Sequence, residues 1–138
     1  MSNKTLVRGC HCGDVRYKVA PSKSTLVVSH CTERQKQSSS AFGLTMNVPY
    51  VDGTLLQGDL HHWPRTTDSG NIQHTYHCST CGSRILKGDR ETEEIVKLWV
   101  GPLGTPVDVA QAIHIWTNSR LPSVLVPEGA KYFPENPG

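Results

Sequence analysis

The chain has 138 residues, 14 Lys and Arg against 12 Asp and Glu, and a formal charge of +2. Its basic residues are scattered, which does not favour a nucleic-acid surface, and no segment is long and apolar enough to span a bilayer. A chain of this length reads as one domain, residues 1–138, able to bury about two-thirds of its unfolded surface; without an apolar leader at its start it is expected to be soluble and cytoplasmic.

In chain order, the first feature is Gly9-Cys10-His11-Cys12-Gly13. A spacing of two puts both thiols on one face of an extended strand with His11 turned away, and the flanking glycines fit tight turns. Val15–Val19 alternates apolar and polar residues, Thr25–Val28 is a short apolar run and Leu44–Val48 alternates again, so each is expected to be a strand. Further strands are expected at Thr54–Gln57, Ile72–His77, Arg84–Lys87, Glu94–Val100 and Ala112–Trp116, separated by Gly and Pro punctuation. Cys78-Ser79-Thr80-Cys81-Gly82 reads as a tight turn, with Gly82 where a positive φ is often needed. No stretch carries a clean helical stripe, and the best helix candidate, Val107–Ala112, is short. The tail from Val126 reads as irregular, with Tyr132 and Phe133 docking onto the body. The sum is a mainly β, mostly antiparallel domain.

Four of the five cysteines fall into two tight pairs far apart in sequence, Cys10/Cys12 and Cys78/Cys81. Zinc takes four ligands in a tetrahedron, which two such pairs supply with little rearrangement. A disulfide framework or reduced core cysteines are the alternatives; an odd count, no secretory leader and a length that needs no stapling argue against disulfides. One structural zinc is therefore expected, joining an early hairpin to a late one. Cys31, in Ser29-His30-Cys31-Thr32-Glu33-Arg34, stands outside both pairs.

Several segments together resemble the glutathione-dependent formaldehyde-activating (GFA) family, which includes the CENP-V type domains. They are Gly9-Cys-His-Cys-Gly13, His30-Cys31 followed by Gln37-Ser-Ser-Ser-Ala-Phe-Gly43, Cys78-x-x-Cys81-Gly-Ser83 and His114-Ile-Trp116-Thr-Asn-Ser-Arg-Leu-Pro122. The resemblance covers about Val7 to Pro134. It implies an Mss4-like β-tent of antiparallel sheets organised by zinc, held by Cys10, Cys12, Cys78 and Cys81. It also implies a carbon–sulfur lyase, in which the sulfur of glutathione, as cosubstrate, adds to or leaves an aldehyde carbon.

The family's second motif, Cys-x-Cys-x-x-Cys, binds a catalytic zinc, and here its positions hold Ser29, Cys31 and Arg34. A serine hydroxyl is a poor ligand and a guanidinium cannot bind the ion, so a second zinc is not expected unless histidines substitute. His30, His61, His62, His74, His77 and His114 are available, but no spacing selects a set. His61 and His62 are expected as one exposed and one packed side chain, and His77 as packing beside Cys78.

Without that metal, Cys31 remains a candidate nucleophile or base, and Arg34 a group to favour its thiolate or grip a substrate carboxylate. His114, with His30 behind it, is the acid–base candidate because imidazole titrates near neutrality. Ser38, Ser39 and Ser40 are candidates to line an anion pocket, and Phe42 and Trp116 its apolar wall. The plain alternative makes Cys31 a small core residue, Arg34 a surface charge, and His114 and Trp116 packing. Three functions follow: a carbon–sulfur lyase acting on glutathione or other thiol adducts of a small molecule, a repurposed metal-independent enzyme for elimination, hydrolysis or isomerisation, or a non-catalytic zinc-stabilised binding module.

Overall fold

The computed structural model describes residues 6–19, 25–49, 53–88, 95–104 and 107–136. The strands are β1 Leu6–Gly9, β2 Arg16–Val19, β3 Thr25–Ser29, β4 Gly43–Pro49, β5 Gly53–Gln57, β6 Leu60–Thr66, β7 Ile72–Cys78, β8 Arg84–Lys87, β9 Ile95–Trp99 and β10 Ile113–Ile115. Among the described residues there is one α-helix, α1 Thr32–Ser38. The protein is thus mainly β, as its alternating segments predict. Glu94, the start of one expected strand, lies outside the described residues.

The chain divides into two compact units, residues 1–24 with 47–105 and residues 25–46 with 106–138. In the first, β2 lies between β1 and β5, and β6 to β9 form an antiparallel meander. Alternation decides what is buried: Val15, Tyr17, Val19, Val48, Ile85, Val96 and Leu98 fill its interior, where area removed from water stabilises by about 25 cal/mol per Å².

In the second unit β3 lies between β10 and β4. The β10–β3 pairing is parallel, with His114 opposite Val28 and Ile115 opposite Ser29. Its strands are joined through a crossover rather than a hairpin, which the expectation of antiparallel sheets did not include. Alongside Val27, Val28, Met46 and Ala112, the interior of this unit holds Ser29, His30, Arg34, Thr45 and His114. Polar groups inside a small unit must find partners or mark a site.

Two elements correct the sequence reading. The short helix expected at Val107–Ala112 is only a 3-10 turn at Val109–Gln111, capped by Asp108. The helix that does form is α1, a run of polar residues started by Cys31, whose sulfur accepts from the Arg34 N–H, and closed by Ser39 in the left-handed region at φ 52°. The tail docks through its backbone, with the Phe133 N–H donating to the His114 carbonyl at 2.9 Å. Phe133 is half-buried while Tyr132 stays exposed, so only one of the two expected rings packs.

Candidate metal centre and thiol site

The loop joining β1 to β2 and the loop joining β7 to β8 bring four sulfurs together. Cys10 and Cys12 do not continue β1 as a strand; a turn replaces it, closed by Cys10 N–H to Val15 O at 3.1 Å and Gly13 N–H to Cys10 O at 3.2 Å. Gly13 at φ 89° and Gly82 at φ 78° turn the two loops in a region that a Cβ disfavours. Gly82 N–H donates to Cys78 O at 3.0 Å, giving the tight turn that the sequence predicts.

The Cys10 and Cys12 sulfurs are 3.5 Å apart, Cys12 and Cys78 3.8 Å, and all four lie within 4.8 Å of one another. Zinc–sulfur bonds of about 2.3 Å set tetrahedral sulfurs about 3.8 Å apart, so the spacing fits a four-thiolate zinc. All five cysteines are unbridged.

Backbone N–H groups already aim at the sulfurs: Val15 at Cys10 (3.3 Å), Asp14 at Cys12 (3.5 Å), and Thr80 and Cys81 at Cys78 (3.4 and 3.5 Å). Ser83, to which the sequence alone assigns no role, ties the loops together. It accepts from the His11 N–H at 3.1 Å, and its hydroxyl lies 3.2 Å from the Cys81 sulfur.

These contacts divide the thiols. Ser83, through its hydroxyl and its N–H, draws Cys81 down to about 5. Burial opposes the Cys10 thiolate, but the Val15 N–H and the Cys12 and Cys78 sulfurs outweigh it, and its pKa is lowered. The Asp14 N–H favours the Cys12 thiolate, yet the neighbouring sulfurs of Cys10, Cys81 and Cys78 push it up to about 12. Four thiolates in this space repel one another, and a divalent cation removes that conflict.

The second unit gathers the other candidates. The half-buried Cys31 sulfur accepts from the Ser29 hydroxyl and from the Arg34 N–H, both at 3.4 Å. Arg34 is buried rather than a surface charge, and its guanidinium donates to Gln37 Oε1 at 2.8 Å. The parallel register of β10 brings His114 to His30: His30 Nε2 and His114 Nδ1 are 3.0 Å apart in stacked rings. Phe42 lies against the His30 ring, centroids 5.8 Å apart.

Burial holds both imidazoles below their usual pKa, His30 further through the nearby His114 and Arg120 charges. His30 Nδ1 and His114 Nε2 are buried without a hydrogen-bond partner. One shared proton therefore leaves one outer nitrogen bare and the other protonated, whichever tautomer holds.

The serine segment is the end of α1 rather than an open turn. Ser38 Oγ is buried without a partner, while the Ser40 hydroxyl donates to Phe42 O. Trp116 belongs to the tail: it sits at φ 57° and its indole N–H donates to Asn136 Oδ1 at 2.9 Å. Gln35, missed by sequence reasoning because nothing marks it among polar neighbours, donates to His30 O and Ser119 O at 2.9 and 3.1 Å.

Among the described residues, the one group of three or more His, Cys, Asp or Glu ligand atoms that converges is the four-cysteine cluster, and none forms around Cys31. His61 and His62 are both exposed, against the expectation that one is packed, because β6 is an edge strand; His77 is half-buried.

No curated protein matches the chain. Its fold is similar to the crystal structure of a Rhodobacter sphaeroides protein, with a TM-score of 0.61 and 18% identity over 79% of this chain and 99% of that one; at that identity the likeness concerns fold alone. A family model described as glutathione-dependent formaldehyde-activating enzyme matches residues 5–119. With most of its length so matched, the chain belongs to the GFA family.

Proposed function

We propose that this protein is a carbon–sulfur lyase-type enzyme acting on glutathione or another thiol adduct of a small molecule, at a site without a catalytic zinc. Cys31, Arg34 and His114 carry the chemistry in this reading. The observation behind it is the convergence of the Ser29 hydroxyl and the Arg34 N–H on the Cys31 sulfur, at positions where the family resemblance places metal ligands. Cleaving an adduct R–S–CH(OH)–R′ breaks the carbon–sulfur bond: a base takes the hydroxyl proton, the carbonyl forms and the thiolate leaves to be protonated. In this reading the Cys31 sulfur is the base for the first proton transfer, and the His30–His114 pair, with its one donating nitrogen, the acid for the second. Arg34 suits a substrate carboxylate, with His30, Ser38, Ser40, Phe42 and Trp116 assigned to the substrate's surroundings.

In the same reading Cys10, Cys12, Cys78 and Cys81 hold one structural zinc, which cross-links their two loops. Five unbridged thiols suit a reducing compartment such as the cytoplasm. A second reading, a metal-independent elimination, hydrolysis or isomerisation on another small molecule, is favoured by the buried guanidinium that replaces a ligand.

A panel of aldehyde–thiol adducts tests the proposal. Turnover by the wild type and its loss in Cys31→Ser, which keeps the acceptor that caps α1, at a little-changed melting temperature is the expected result. No heat of binding with any thiol in calorimetry contradicts it.

A further inference from the structure

The side chain of Arg16 crosses the β1–β2 ladder and ends over the first pair of cysteines. Gly9 stands directly opposite Arg16, so a Cβ at Gly9 would point to the same face of the sheet. That Cβ would collide with Arg16 Nη1 and with the Val15 carbonyl oxygen, and one on Gly13 would lie 3.1 Å from Arg16 Nη2. The two ends of the guanidinium therefore rest on the two glycines that bracket Cys10-His11-Cys12. Consecutive Cα atoms stand about 3.8 Å apart, which puts the charge within about 8 Å of the Cys10 and Cys12 Cα atoms. Gly9, unlike Gly13, is not in the positive-φ region, so close approach rather than backbone conformation accounts for a glycine there.

The guanidinium is half-buried, and among the described residues neither a hydrogen bond nor an ion pair engages it. Its charge is permanent. A divalent ion on four thiolates leaves an excess of negative charge, and two of the four cysteines, Cys10 and Cys78, are buried, where water screens that charge least. Groups just outside the ligands tune the affinity of such a centre.

We propose that Arg16 is a positioning residue of the four-cysteine centre: its guanidinium, seated on Gly9 and Gly13, offsets the excess negative charge of thiolate-bound zinc and holds the Cys10–Cys12 loop in place. The inference rests on the reading that these cysteines hold zinc, and it is independent of the carbon–sulfur chemistry.

The zinc affinity of the full-length protein, measured in competition with a chromophoric chelator at low and at high salt, tests it. The expected result is that Arg16→Gln binds zinc about tenfold more weakly than the wild type at low salt. Arg16→Lys, which keeps the charge, recovers most of that loss. The gap between wild type and Arg16→Gln narrows in about 1 M salt, where the screening length falls to about 3 Å, whereas a role in packing alone gives a gap that salt does not close. Circular dichroism checks that both zinc-loaded variants are folded. Equal affinity in wild type and Arg16→Gln overturns the proposal and leaves the zinc reading standing, as does a gap that persists at high salt or that Arg16→Lys shares in full. No zinc uptake by the wild type overturns both.

Discussion

Cys31 serves α1 and the candidate chemistry with one atom. Its sulfur caps the helix and also accepts the Ser29 hydroxyl in the half-buried thiol site. Cys31→Ala therefore removes a cap, a change that costs about 0.5–2 kcal/mol with ordinary capping residues, whereas Cys31→Ser keeps an acceptor and changes only the nucleophile. The buried imidazoles make a separate, pH-dependent prediction. In the unfolded chain they titrate near their ordinary value of about 6.5, while in the folded protein burial holds both lower. As pH falls through about 6.5 the unfolded state binds protons first, so stability present above that value is lost on the way down towards the lowered folded values. Below about pH 6.5 the thermal midpoint should fall more steeply in the wild type than in His114→Asn. Parallel slopes would contradict a neutral buried pair.

At the scale of elements, the metal loops depend on one bridging hydroxyl. Ser83 joins the β7–β8 loop to the β1–β2 loop through His11 and Cys81, so Ser83→Ala should lower stability by about 1 kcal/mol and speed zinc loss to a chelator. Release at the wild-type rate would show that the sulfurs alone fix the loops. These loops were legible in the sequence because a Cys-x-x-Cys-Gly turn is a local event, closed by Gly82. The Cys10-x-Cys12 spacing misled, since two residues apart suits a strand face, whereas the bonds from Cys10 N–H to Val15 O and from Gly13 N–H to Cys10 O make a turn. Neither α1 nor β6 announced itself. The helix is short, wholly polar and capped by a cysteine, so it has no apolar stripe to read. β6 carries Pro64, which an edge strand tolerates because one side needs no ladder, and mostly exposed side chains, which erase the alternation.

Across the whole molecule, the two kinds of chemistry fall in different units. The four-cysteine cluster belongs to the first unit, and the thiol site to the second, whose interior includes Ser29, His30, Arg34 and His114. The second was only partly legible: the family motif points to Cys31 and Arg34, but the closeness of His30 to His114 arises from a parallel pairing between strands more than eighty residues apart in sequence. Local patterns carry no trace of such pairing. In the proposed reading Cys10, Cys12, Cys78 and Cys81 keep the structural half of the family's metal chemistry, while the site around Cys31 works without a metal. Anomalous diffraction at the zinc edge, on protein purified without added metal, tests it most directly. The prediction is one zinc per chain, centred on Cys10, Cys12, Cys78 and Cys81 and lost in Cys78→Ser, with no peak beside Cys31. A second zinc at Cys31, or an empty four-cysteine cluster, would contradict it.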